Sequence, residues 1–130
     1  LICADLWNPA LVHVSLLARP TVLCAPINSG IVSEDFSNER NWALNVSFYA
    51  MTYDTPVIMA NRHGSEGDSH FWGGSRIQGP RGDILTEAGD TDTLVHADLS
   101  RTEIARARFE LPSLRDADTP LVRELMAGYR

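Results

Sequence analysis

Apolar positions change their spacing several times along this chain, and each change marks an element. Residues 1 to 5 (LICAD) make a short apolar start that reads as a buried strand. From Pro9 to Arg19, Leu11, Val14, Leu17 and Ala18 suit a helix, with Asn8 as N-cap and Pro9 at its first position. Thr21 to Ala25 (TVLCA) is β-branched and continuously apolar, as in a parallel strand covered on both faces. Pro26 to Phe36 turns polar and reads as a loop leaving that strand. From Ser37 two stripes run at helical spacing, Trp42/Val46/Tyr49/Tyr53 and Leu44/Phe48/Met51. The predicted helix is therefore apolar around much of its surface and should be sandwiched. Pro56 to Ala60 reads as a third buried strand, and Ser75 to Gly79 with Asp83 to Thr86 as a hairpin about Pro80-Arg81-Gly82. Leu94 to Asp98 reads as one more strand. Ser100-Arg101-Thr102-Glu103 matches a capping box for a helix to about Phe109, and Thr119-Pro120 with Gly128 brackets a last short helix.

Strands alternating with crossover helices, followed by a hairpin, predict an α/β fold with a mixed sheet. No linker or repeat divides residues 1–130, so one domain is expected. It looks incomplete, because helices and strands with this much apolar surface need covering layers that 130 residues barely supply.

Composition narrows the partners. A net charge of −6 argues against nucleic acid or an anionic membrane surface, which require clustered cations. No apolar run approaches the roughly 20 residues of a membrane span, and no signal peptide is visible, so a cytoplasmic protein is expected. Cys3 and Cys24 make neither a disulfide framework nor a zinc spacing, and neither metal nor organic cofactor is implied. Lysine is absent from the sequence, all eleven cations being arginine.

Chemistry concentrates at Cys3. A sulfur at a strand end, just before a helix, lies where free first-turn amides stabilise a thiolate and bind an oxyanion. A buried cysteine acting as a small hydrophobe is the plain alternative there. Cys24, inside an apolar strand, is expected to be the inert thiol. Leu1-Ile2-Cys3-Ala4-Asp5-Leu6-Trp7-Asn8-Pro9 resembles the nucleophile segment of the nitrilase, or carbon-nitrogen hydrolase, superfamily, in which a Cys-x-Asp turn precedes a helix. The likeness continues in order through Val57-Ile58-Met59-Ala60-Asn61-Arg62-His63-Gly64, through Phe71-Trp72-Gly73-Gly74-Ser75-Arg76-Ile77, and through Leu94-Val95-His96-Ala97-Asp98-Leu99. Two departures, Arg19-Pro20 and Trp7-Asn8, leave the substrate branch open.

The resemblance implies the second half of an α-β-β-α sandwich and a Cys-Glu-Lys triad. Cys3 would be the nucleophile and the Ala4 backbone N–H an oxyanion donor. The implied reaction is hydrolysis of a non-peptide carbon-nitrogen bond, an amide ahead of a nitrile, through a cysteine thioester. Glutamate and lysine precede the cysteine in the family's order. With only two residues before Cys3, no lysine, and Leu rather than Met in first place, the expectation is the C-terminal part of a longer enzyme. Alone it should be nearly inactive, since positioned proton transfer contributes about 100- to 10,000-fold. A homo-oligomer is also implied. The rivals are a non-catalytic module that keeps the sandwich for binding or assembly, and an acyl transferase of the same superfamily.

Around the cysteine, Asp5 is expected to accept backbone amides and support the turn. Trp7, Asn28 and Ser29 are the candidate substrate contacts. Asn61 and Arg62 end a buried strand and read as structural support, with Arg62 bound to carbonyls or a carboxylate beneath the site. A Cys-His enzyme could use His63 or His70, without positive sign in the sequence. Asn45-Val46-Ser47 fits a glycosylation acceptor but falls in a predicted buried helix.

Overall fold

The computed structural model describes residues 1–33 and 36–129. Its centre is a four-stranded sheet in the order β1 (Leu23–Ile27), β4 (Val57–Asn61), β7 (Arg76–Gln78) and β8 (Ile84–Glu87). The β1–β4 pair is parallel, while β4–β7 and β7–β8 are antiparallel, so the sheet is mixed as expected. Helices α1 (Pro9–Leu16) and α2 (Glu39–Tyr53) supply the crossovers. Two small antiparallel pairs, β2 (Ile31–Ser33) with β3 (Phe36–Ser37) and β5 (His63–Glu66) with β6 (Ser69–Trp72), decorate the loops. Helices α3 (Arg101–Glu110), α4 (Ser113–Asp116) and α5 (Thr119–Ala127) close the chain.

One face of the sheet carries the core. Leu23, Ala25, Ile27, Val57 and Met59 point to it and pack with Leu6, Val12, Leu16, Trp42, Val46 and Tyr49. The opposite face is open: Cys24, Pro26 and Ala60 are exposed and Ile58 is half-buried. The expectation of a strand covered on both faces is corrected here, since β1 alternates buried and exposed along its length. Cys24 is accordingly an exposed thiol rather than an inert core residue.

Several other boundaries move. Residues 1 to 5 are not a strand: Ile2 is extended, and a 3₁₀ turn runs from Cys3 to Trp7. Asn8 caps α1, its Oδ1 accepting from the Leu11 N–H at 3.3 Å. The buried positions of α1 are Val12 and Leu16, whereas Leu11 and Val14 of the expected apolar face are exposed. On α2 the stripe of Trp42, Val46 and Tyr49 is buried, but Leu44, Phe48 and Met51 face outward, so the helix is covered on one side only. Of the expected loop at 26–36, Pro26 and Ile27 extend β1 and residues 31–33 pair with β3, while Glu34 and Asp35 lie outside the described residues. Leu94 to Asp98 is extended but joins no ladder, and Leu94 is 92% exposed. A strand needs a neighbour for its amides and carbonyls, and none of the described residues provides one there.

Helix α3 follows its cap, with Ser100 Oγ accepting from the Glu103 N–H at 3.2 Å. It buries Ile104 and Ala107, and Arg108 fastens it to the starts of β1 and β4. The Arg108 guanidinium donates to the carbonyls of Pro20 at 2.6 Å and Asp54 at 3.3 Å and to Thr55 Oγ1 at 3.0 Å. Burial lowers its pKa, and the neighbouring charge of Arg19 adds to that.

Candidate active site

Cys3 enters the site through its backbone. Leu1 and Ile2 run beside β1, with the Leu1 amino group 3.4 Å from the Cys24 carbonyl. The chain then breaks direction at Cys3, whose φ of +42° lies in the left-handed region that a side chain with a Cβ seldom occupies. Such a conformation costs of order 1–3 kcal/mol and persists only where neighbouring contacts impose it. Here the imposing contacts are explicit. The Ile2 N–H donates to Asp5 Oδ2 at 2.8 Å, and the Asp5 N–H returns to the Ile2 carbonyl at 3.0 Å. The Asn8 N–H closes the turn on the Asp5 carbonyl at 3.1 Å. Asp5 thus holds the turn from inside, while the N–H of Ala4 belongs to a first turn whose amides have no intrahelical acceptor.

The far end of the turn is held by α2. Leu6 is fully buried, and its carbonyl accepts from Tyr49 Oη at 3.0 Å and Asn45 Nδ2 at 3.1 Å. Burial pushes the Tyr49 phenol up, opposed by a smaller pull from Asn45, so the hydroxyl stays a donor through neutral pH. Trp7, 46% exposed, lays its ring 4.7 Å from that of Trp42 at a tilt of 58°. It is therefore packed on one side and open on the other.

The carboxyl ends of β1 and β4, Ile27 and Asn61, lie in register, and the loops leaving them are tied together by Asn61. Its Oδ1 accepts from the Ser29 N–H at 2.9 Å, and its Nδ2 donates to the carbonyls of Ser29 at 3.1 Å and Gly73 at 2.9 Å. Ser75 Oγ adds two bonds to the Asn61 backbone, at 2.9 and 3.1 Å. Gly73 must be glycine: its φ is +68°, and a Cβ there would meet the Gly89 carbonyl at 2.5 Å. Ser29 is buried with both backbone groups engaged by Asn61, and Asn28 beside it is exposed.

Arg62 departs from the expected place beneath the site. It lies on the exposed β5–β6 side, paired with Glu66 at 2.5 Å and stacked 4.4 Å over the Phe71 ring. The buried guanidinium is that of Arg76, which donates to the Gly74 carbonyl at 3.2 Å and pairs with Glu87 at 2.5 Å. Sequence reasoning missed Arg76, Ser75, Asn45 and Tyr49 as site supports. Tyr49 alone carried a signal, since a tyrosine on a buried stripe must find a partner for its hydroxyl. His70 Nδ1 is 3.0 Å from Ser65 Oγ on the same hairpin, and His13 Nδ1 is 3.1 Å from Tyr53 Oη. Two concavities, of about 630 and 500 Å³, are lined by other residues: Glu39, His70, Trp72, Glu87 and Asp90 in the first, α1 and α5 in the second. Among the described residues no group of three His, Cys, Asp or Glu side chains could hold a metal ion, and no helix is long and apolar enough to cross a membrane.

Comparison with known proteins places this geometry. Residues 1–109 match the carbon-nitrogen hydrolase family model. An N-carbamoylputrescine amidase of Oryza sativa subsp. japonica is 28% identical over 136 residues, covering 96% of this chain and 45% of that protein. The one from Solanum tuberosum is 30% identical over 104 residues, covering 72% of this chain and 35% of its own length. Among solved structures, a carbon-nitrogen hydrolase from Helicobacter pylori G27 superposes with a TM-score of 0.88 at 24% identity, over 97% of this chain and 47% of that one. An amidase of the nitrilase superfamily from Nesterenkonia AN1 gives 0.75 at 23%, over 96% of this chain and 42% of its own. The chain spans about half the length of the relatives it matches, or less. With a family match over most of its residues, a mixed α/β sheet shared with these structures, and a cysteine turn at the expected place, the chain belongs to the carbon-nitrogen hydrolase family.

Proposed function

We propose that Cys3 is the nucleophile of an enzyme that hydrolyses a non-peptide carbon-nitrogen bond, an amide ahead of a nitrile. The Cys3 thiolate attacks the amide carbon, and the oxygen that becomes negative is received by the Ala4 N–H. The nitrogen leaves as ammonia or amine with a proton from a general acid, giving a thioester. Water then adds to the thioester carbon, the carboxylic acid departs, and the thiol is restored. Glutamate and lysine for the proton transfers and for oxyanion stabilisation would come from further polypeptide, the share of the relatives that this chain does not span. The substrate is a small molecule, with Trp7, Asn28 and Ser29 as its contacts, and the assembly is a homo-oligomer. The present 130 residues by themselves are expected to turn over little or nothing.

One observation carries this reading: the left-handed backbone of Cys3, held by Asp5 at one side and α2 at the other. A cysteine serving only as packing has no use for that strain. The amidase relatives favour an amide substrate, and in the Nesterenkonia enzyme the acetamide moiety of fluoroacetamide adds covalently at the active-site cysteine. The absence of lysine favours a second reading, a non-catalytic module that uses the fold for binding or assembly. Mass spectrometry of the full-length protein with fluoroacetamide separates the two. An adduct on the Cys3 peptide, lost in Cys3→Ala together with amide turnover, supports the enzyme; turnover that survives Cys3→Ala rules the mechanism out.

A further inference from the structure

The turn bearing Cys3 is strained, and strain at a single residue relaxes unless both flanks are pinned. The N-terminal flank is pinned by Asp5. On the C-terminal flank the Leu6 carbonyl lies at the end of the 3₁₀ turn, where no amide of the turn itself reaches it. Two side chains meet it instead, Asn45 Nδ2 and Tyr49 Oη, spaced by four residues on one face of α2. Trp42 lies three residues before Asn45 on the same helix and packs on Trp7. Three α2 positions therefore grip two consecutive residues of the turn. The plain explanation, a buried phenol using whatever carbonyl is near, accounts for one bond but not for two donors on one oxygen. That oxygen is three residues from the thiol.

We infer that Asn45 and Tyr49 are positioning residues for Cys3: by fixing the Leu6 carbonyl they hold the turn in the conformation that aims its free amides at the sulfur and at the developing oxyanion. The inference rests on the reading of Cys3 as nucleophile. Neither side chain touches substrate or transfers a proton in it. Loosening the clamp lets the turn relax from its left-handed geometry, and misplacement of reacting groups by about 1 Å costs up to about 100-fold.

The test uses the full-length protein with Tyr49→Phe, Asn45→Ala and Cys3→Ala. Tyr49→Phe, which keeps the ring, should lower kcat about tenfold with KM changed by less than about twofold. The pH midpoint for alkylation of Cys3 by iodoacetamide should rise in the same variant, because the thiolate loses part of its amide stabilisation. A purely structural role would lower the melting temperature and leave that midpoint where it was. An unchanged midpoint and kcat in folded Tyr49→Phe overturns the inference, and should Asn45→Ala fail to fold, Tyr49→Phe decides alone. Loss of turnover in Cys3→Ala beside a fully active Tyr49→Phe removes the clamp only, whereas turnover in Cys3→Ala removes the nucleophile reading.

Discussion

At the scale of single residues, three side chain–bearing positions share the left-handed backbone region: Cys3, Arg19 and Asp54. They differ in what the strain serves. Asp54 ends α2, is 4% exposed and has its carboxylate pKa raised, burial outweighing the attraction of Arg108 and Arg81. The sign of its contribution follows by linkage. Above the ordinary value of 3.8 an unfolded Asp54 releases its proton while the folded one keeps it. Stability is therefore lost as pH rises from 3.8 through the raised folded pKa, and stays lost above it. Asp54→Asn keeps the left-handed cap, which asparagine tolerates well, and removes the charge. The variant should match the parent at pH 3 and exceed it at pH 7, read from urea midpoints at both. Parallel curves for the two proteins would show that burial of Asp54 carries no free energy. Cys3 has no such capping role, which is why its strain points to chemistry.

At the scale of elements, α3 is joined to the rest of the fold by little apolar area and by one arginine. Arg108 spends its donors on the Pro20 and Asp54 carbonyls and Thr55 Oγ1, linking α3 to the starts of two strands. Arg108→Met preserves the stem but orphans these acceptors, and should cost about 2–4 kcal/mol. Hydrogen exchange should quicken in residues 101–110 before it does in α2; equal loss across both helices would mean that α3 has no separate opening. Arg108 was not singled out in the sequence because its partners are backbone carbonyls, which leave no pattern. What was legible shows the same rule in reverse. Strand β4 and the β7–β8 hairpin carried their own signals, a buried run and Pro80 with Gly82. The Asn8, Pro9 and Ser100 caps likewise announced their helices. The β5–β6 hairpin, His63 to Trp72, was hidden by its polar composition, since an exposed hairpin needs no alternation. Leu94 to Asp98 had strand composition without a partner, and composition cannot supply one. Within the site, Cys3 and Asp5 were readable from their order; the convergence of Asn45 and Tyr49 on Leu6 arises from tertiary packing across about forty residues.

At the scale of the molecule, two surfaces are unfinished. The sheet shows Cys24, Pro26 and Ala60 to solvent, and α2 shows Leu44, Phe48 and Met51 on the side away from the core. A sheet with one packed face is common, yet an open face made of alanine, proline and cysteine lacks the polar side chains that solvated faces carry. The carbon-nitrogen hydrolase fold resolves this by laying a second sheet on the first, in the α-β-β-α arrangement. Cys24 reports directly on whether that layer is present. In the 130 residues alone, its thiol should react with a maleimide at a rate near that of an unfolded peptide. In the full-length protein the same thiol would lie between two sheets packed about 10 Å apart and should be protected by orders of magnitude, until denaturant releases it. Cys3 serves as the internal contrast, because a nucleophile must stay reachable from the substrate pocket when the sandwich is complete. Slow labelling of Cys3 with fast labelling of Cys24 in the full-length protein would reverse the assignment of inner and outer faces, and with it the side of the sheet on which the substrate is bound.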